Sequence, residues 1–540
     1  MRLCINYFLH ISYSKMYKKI IISIVVGYSL CLLAIPCLQA QTIYIQGTIN
    51  NDTLLNADTI KVTGDIDVLN EVTLSIVQGA YVEFQDYYTL NVQGRLLAVG
   101  NIADTIYFSV HDTTGFSDTS TVNGSWRGIH FDNTLNSNDT SKIMYCRLQN
   151  GKAVGGSLSK TSGGAIYINN FSNVIISNSF ISNNIALGGG GGIYCGENSS
   201  PIIQYCSFKY NRVYDSGGGL FIGTNSNAII NANVFTNNIA YRKWQIYSTG
   251  RGGGICSSSA DLNSFCPIIS NNRIFNNMSI SGGGIYESNY HITLVNNLIC
   301  NNEGSGVLNG HQLGQGKYTN NTICNNDRSG GINCLSSYLE IANNIIWGNT
   351  NYDGSTNQIN RMLNAHPIVK YSNIQYGYSG EGNIDSLPLF FQPTAGAGLD
   401  YDGALADWSL LDHSPCIDSG TPDTTGLNLP LMDILGNPRI SYNRIDIGAI
   451  EKQFPVGVVS GQSDEIKIFP NPAYDKLYIQ TSMNGTVKFE MYDLTGKIVL
   501  ECYLVDSFTQ LNLGLLEPGL FFYRFSNRVK VLDSGKLIKL

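Results

Sequence analysis

The sequence predicts an all-β chain in two parts, a long solenoid of stacked coils followed by a small β-sandwich. Three observations carry that reading. A nine-residue pattern ending in asparagine returns seven times between Ile176 and Asn349. A second short strand recurs between those rows, behind glycine-containing turns. The composition, 57 glycines and only 14% charged residues in 540, suits strands and turns, and no long amphipathic-helix pattern interrupts it.

The chain opens with Lys18 and Lys19, an apolar run from Ile20 to about Leu38, and Ala40 before Gln41. Residues 1–40 are therefore expected to be a cleaved signal peptide, with Met16 an alternative start and a membrane anchor the rival reading. From Gln41 to Val110 apolar and polar residues alternate, as in Val72-Thr73-Leu74-Ser75-Ile76 and Leu90-Asn91-Val92. That period of two marks half-buried strands, read here as the first coils. Trp126-Arg127-Gly128-Ile129-His130-Phe131 opens the next ones.

The rows close at Asn184, Asn211, Asn238, Asn277, Asn302, Asn326 and Asn349. Eight residues earlier stand Ile176, Ile203, Ile230, Ile269, Leu294, Tyr318 and Ile341, expected to point inward. Two flanking rows, ending at Gly151 and Gly377, carry glycine in the asparagine place. An amide both donates and accepts, so stacked asparagines can bond up and down the coils. They also tolerate the left-handed conformation of tight turns. The asparagines are therefore read as structural. The second strand recurs at Ile166-Tyr167, Ile193-Tyr194, Leu220-Phe221, Ile255-Cys256 and Ile285-Tyr286. Its outward aromatics could form a binding strip or a sheet-stabilising ladder. Residues 41–382 make up this solenoid.

From Asn383 to Glu451 the texture changes, with six prolines, Ser414-Pro415-Cys416-Ile417-Asp418-Ser419-Gly420 and Asp446-Ile447-Gly448-Ala449-Ile450-Glu451. This segment resembles the one that closes right-handed parallel β-helices in many secreted bacterial proteins. With the asparagine rows, the likeness to the pectate-lyase-like superfamily spans roughly Gln41 to Glu451. It implies a fold and no single activity, since such helices host lyases, hydrolases, epimerases and adhesins.

Residues 452–465 read as a linker. Residues 466–540 form the small domain, with Ile468-Phe469-Pro470-Asn471-Pro472, Val487-Lys488-Phe489-Glu490-Met491-Tyr492, the turn Asp493-Leu494-Thr495-Gly496-Lys497 and Gly519-Leu520-Phe521-Phe522-Tyr523. They resemble the type A C-terminal sorting domain of the type IX secretion system. That resemblance implies passage across the outer membrane, the secretion machinery as partner, and a product anchored at the surface or released.

The net charge of −7 argues against nucleic acid, which needs a clustered basic surface. Ten of 13 cysteines follow the leader, with no Cys-x-x-Cys pair. Cys300 and Cys324 share an offset and could form a disulfide or simply stack. Cys195 and Cys334 are expected in the core. The histidines show no metal-ligand spacing, and neither metal nor cofactor is expected; a monomer is. Glu303 and Asp327 each follow a row asparagine. They are read as solvated turn acids offset by Arg328, with a carboxylate dyad or cation site as the rival. Glu287 has no carboxylate at the matching positions.

The one long departure from regular coils, Asn238 to Ile255, carries Tyr241, Arg242, Lys243, Trp244, Tyr247 and Arg251. Aromatic faces and cations there could hold acidic sugars. The expected function is a secreted or surface β-helix that binds or scaffolds glycans or extracellular surfaces. The alternative is a polysaccharide lyase or glycoside hydrolase with a site assembled from loops.

Overall fold

The computed structural model describes residues 40–453 and 466–539 apart from short stretches, of which 242–249, 260–265 and 482–486 are the longest. Residues 1–39, on which most of the leader expectation falls, lie outside it. The described chain divides into two compact units at Lys452/Gln453.

The first unit is a parallel β-helix. One coil shows the plan. Val174–Ser177 belongs to a 12-stranded parallel sheet, called here sheet one. The chain turns at Asn178 into Phe180–Ser182, sheet two, which carries the asparagine rows. It turns again at Asn183 into the two-residue strand Ile185–Ala186, part of a seven-stranded ladder. A glycine turn then leads to Ile193–Cys195 in sheet three. Gly190, Gly217, Gly252 and Gly282 hold that turn with positive φ, where a Cβ would strike backbone. Sheets two and three fuse at the first coils, because the ten-residue strand Thr59–Val68 pairs with Tyr81–Phe84 at one end and Leu90–Val92 at the other.

Inward positions of every coil fill one continuous core. Ile176, Ile203, Ile230, Ile269, Leu294, Tyr318 and Ile341 are all buried in it, as are Cys195 and Cys334. The asparagine ladder is present and continuous. Asn184 Nδ2 donates to Asn211 Oδ1 at 2.9 Å, and the bond repeats through Asn238, Asn277, Asn302 and Asn326 to Asn349. Gln358 Oε1 closes it at 2.7 Å. Each amide also donates to a backbone carbonyl, as Asn277 does to Phe235 O at 2.9 Å. One expectation needs correction. The ladder asparagines do not occupy the left-handed turns. That conformation belongs to the residue before each of them, for example Asn183, Asn237, Asn276, Asn301 and Asn325. Two neighbouring asparagines divide the labour, one shaping the turn and the next stitching the coils.

The segment after the last coil does more than end the helix. It runs back along the outer face of sheet two as a strap. Trp408, Leu410, Cys416, Ile447 and Ile450 pack on Phe275, Leu298, Cys300, Cys324 and Ile345. Cys300 and Cys324 are register partners, both are buried free thiols, and no disulfide joins them. A buried polar knot sits within the strap. Arg439 Nη2 donates to Gly448 O at 2.6 Å, while Nη1 lies 3.4 Å from Glu451 Oε2.

The second unit is a two-sheet β-sandwich. Ile466–Phe469, Lys476–Thr481 and Phe508–Asn512 form one antiparallel sheet. Ile498–Leu504, Val487–Tyr492, Gly519–Ser526 and Val531–Lys539 form the other. Leu477, Ile479, Phe489, Met491, Phe525 and Leu537 share its core.

Candidate functional site

The outward column of sheet three carries the most organised surface chemistry. Strand register places Asp67, Asn91, His130, Tyr167, Tyr194 and Phe221 on successive rungs. Tyr167 and Tyr194 stack with ring centroids 5.2 Å apart, and Tyr194 and Phe221 with centroids 5.1 Å apart. Tyr167 and Tyr194 are buried, since their faces cover one another and coil backbone flanks their edges. Of the two readings for these aromatics, the ladder is what the geometry supports. Tyr167 and Tyr194 each have a ring on both sides, which leaves them no face for a sugar to stack on.

The aromatic ladder ends at His130, whose ring centroid is 5.3 Å from that of Tyr167. Beyond it the same face opens into a cleft of about 480 Å³ lined by Thr48, Asp67, Asn91, Gln93, Arg127, His130, Asp132, Asn133 and Ser159, among others. His130 Nε2 lies 3.0 Å from Arg127 O, which assigns the ring proton to that nitrogen. Burial, helped by the Arg127 charge, pushes the imidazole down to about 4, so the ring is neutral. Asn91 Nδ2 donates to Asp67 Oδ1 at 2.8 Å, and Asn169 Nδ2 donates to Asp132 Oδ1 at 3.0 Å. Each carboxylate is thereby fixed through one oxygen, and the other has no protein hydrogen bond among the described residues. Arg127 Nε is buried without a partner. The cleft therefore offers acceptors and a donor at strand spacing, on rigid elements.

Counted back from Tyr167, the repeat marks these residues only in part. Stepping back one coil reaches His130 directly. Reaching Asp67 needs the bend of Thr59–Val68, which no local pattern announces.

The sequence-derived candidates fare differently. Arg242, Lys243, Trp244 and Tyr247 lie outside the described residues. Tyr241 is exposed on the coil flank. The Arg251 guanidinium lies 5.2 Å from the Tyr286 ring centroid. Glu303 and Asp327 are register partners. Arg328 Nη1 reaches Glu303 Oε1 at 2.7 Å, and Thr350 Oγ1 donates to Asp327 Oδ1 at 2.6 Å. Burial pushes Glu303 up while Arg328 opposes it. Both acids have protein partners; Arg328 offsets Glu303 as expected, but the Glu303 side chain is only 13% exposed and is not a solvated group. Glu287 is in the bore of the helix, fully buried. It accepts from Tyr318 Oη at 2.6 Å, from Asn289 N at 3.1 Å and from the Asn309 amide.

Two family profiles match the chain: "Right handed beta helix region" over residues 101–299, and "Secretion system C-terminal sorting domain" over residues 467–539. The chain is a right-handed parallel β-helix protein exported by the type IX secretion system. Its sorting domain directs this exported β-helix to the cell surface or the extracellular space and implies contact with the secretion machinery. No curated protein matches it in sequence. Among solved structures it is similar to the one titled "Crystal structure of pectate lyase Pel9A", at 12% identity and a TM-score of 0.37, over 71% of this chain and 89% of that one.

Proposed function

We propose that the exported β-helix binds extracellular glycan without cleaving it, with the polar cleft at the end of the aromatic ladder as its main site and residues 241–251 as a second surface. The observation that carries this reading is the cleft's donor and acceptor set. Sugar hydroxyls donate and accept at once. The unengaged oxygens of Asp67 and Asp132 accept, and the guanidinium of Arg127, which lines the cleft, donates. Polar groups held on a rigid sheet around a cleft are the kind of preorganised set that fixes a ligand's orientation. Binding without cleavage is favoured because burial makes His130 a weak base and its Nε2–H is already bonded to Arg127 O, so it is poorly suited to shuttle a proton.

An arginine and two carboxylates lining one cleft are what a polysaccharide lyase or hydrolase would also use, so one experiment must separate the readings. The mature chain is incubated with a polysaccharide panel in the presence of calcium, and both affinity and products are measured. Binding is expected for at least one glycan, weakened tenfold or more by Asp67→Asn with Asp132→Asn, and less by Tyr241→Ala or deletion of 242–249. New reducing ends or unsaturated uronide absorbance would overturn the non-catalytic reading. Binding that ignores all these changes would overturn the cleft and the second surface together.

A further inference from the structure

Among the described residues of the first unit, the outer face of sheet two carries polypeptide along one half and none along the other. On the coils from Arg273 onward the strap is gripped by its backbone. Asn276 Nδ2 donates to Tyr401 O at 2.8 Å, and its Oδ1 accepts from Gly403 N at 2.8 Å. Asn301 Nδ2 donates to Gly396 O at 3.0 Å, and Asn325 Nδ2 to Thr394 O at 3.1 Å. The opposite edge does the same, with Asn320 Nδ2 donating to Asp446 O at 2.8 Å and Asn343 Oδ1 accepting from Thr421 N at 2.7 Å. The gripping asparagines are the left-handed turn residues; Asn276, Asn301, Asn320 and Asn343 are buried beneath the strap and Asn325 is half-buried. They form two rails, and residues 394–403 travel along one of them from later coils toward earlier ones.

The rails continue past the point where the strap leaves. Asn237, Tyr210 and Asn183 hold the same turn position on one edge, and Ala232, Tyr205 and Asn178 hold it on the other, all with positive φ. Phe180, Tyr205 and Tyr210 are 45%, 58% and 53% exposed there, large apolar surface left uncovered. The bare stretch is also basic in a chain of net charge −7. Its outward positions from Tyr107 to Val234 include Arg147 and Lys209 and no acid. The cations are backed by rings. The Arg147 guanidinium lies 4.7 Å from the Phe180 centroid, and Lys209 Nζ lies 4.8 Å from that of Tyr210. A guanidinium lying on a ring keeps its N–H edge free for a carboxylate.

We propose that this bare half is a docking groove for an extended, acidic segment of a partner polypeptide, held as the strap is held. Continuity with the strap names the class of partner, because turn asparagines on the later coils already bind peptide backbone, and Asn178, Asn183 and Asn237 carry that residue type onto the bare half. The charge names its sign. Three coils at about 4.8 Å span roughly 14 Å, which an extended chain crosses in about four residues. The groove lies on sheet two, and the proposal does not depend on the glycan reading of the sheet-three cleft.

The test uses the full mature chain and a fluorescein-labelled twelve-residue peptide alternating glutamate and leucine, with a lysine–leucine peptide and oligogalacturonate as comparators. Fluorescence polarisation should report saturable binding of the glutamate peptide that weakens as salt rises. Arg147→Glu with Lys209→Glu should weaken it at least tenfold, Phe180→Ala severalfold, and Asp67→Asn in the cleft not at all. If the charge reversal lowers the melting temperature, Arg147→Gln with Lys209→Gln takes its place. Absence of binding by the glutamate peptide, or equal binding to the substituted chains, overturns the proposal. So does oligogalacturonate binding that is tighter and lost in the same variants, which would make the face an acidic-glycan surface.

Discussion

A single ladder asparagine carries several bonds, whereas a turn asparagine away from the strap, such as Asn183, supplies little beyond its backbone conformation. Asn277 Oδ1 accepts from both Asn238 N and Asn238 Nδ2, while Asn277 Nδ2 donates to Phe235 O and Asn302 Oδ1. Asn277→Ala strands at least two buried polar groups at roughly 1–3 kcal/mol each. A loss of about 3 kcal/mol or more is expected in denaturant unfolding followed by circular dichroism. Asn183 supplies only a left-handed turn, which glycine adopts freely, so Asn183→Gly should change stability by less than about 1 kcal/mol. The cleft histidine sets an acid limit. Its folded pKa, about 4, lies below the ordinary 6.5. Its contribution to stability is complete above 6.5 and is lost as pH falls through about 4. His130→Asn removes that titration, so the gap in melting temperature between parent and variant should narrow as pH falls from about 7 to about 4.

The strap titrates the other way. Three carboxyls, Asp433, Asp446 and Glu451, surround one buried guanidinium, Arg439. Burial, reinforced by Asp446, pushes Glu451 up to about 7, and burial pushes Asp446 to about 6. Folded values above the ordinary carboxylate range mean the strap's extra stability is full below that range and is lost as pH rises through 6 to 7. Hydrogen exchange over residues 444–451, corrected for intrinsic rate, should therefore be faster at about pH 8 than at about pH 5. The thiols beneath the strap give a second readout. Burial holds Cys300 and Cys324 protonated and out of reach. Trp408→Ala should let a thiol reagent reach Cys300 and Cys324 while Cys195 and Cys334 in the bore stay protected, as mass spectrometry of the labelled chain would show.

At the scale of the molecule, two cores serve two tasks. The sandwich of residues 466–539 has its own hydrophobic core, separate from that of the β-helix. Removing residues 466–540 should leave the helix folded but retain it inside the outer membrane, as fractionation and surface protease digestion would reveal. The helix itself is quasi-one-dimensional, each coil leaning on its neighbours. A lost rung such as Asn277 is therefore expected to open nearby coils before distant ones, visible as exchange spreading outward from that position.

The asparagine rows, the inward apolar column and the sorting-domain motifs were enough to read an all-β solenoid with an export domain from sequence alone. Repetition explains why. A contact made between neighbouring coils recurs at a fixed interval, so a long-range structure leaves a periodic trace. The first coils pair through the bent strand Thr59–Val68 and follow no such interval, and so Asp67, Asn91 and His130 gave no sign that they share one cleft. The strap likewise joins Tyr401 to Asn276 and Asp446 to Asn320 across more than a hundred residues, through backbone atoms that every residue has. Sequence determined what repeats. Tertiary structure alone decided where the repeats stop being alike, because charge, burial and open surface at those places depend on which distant segment comes to lie there.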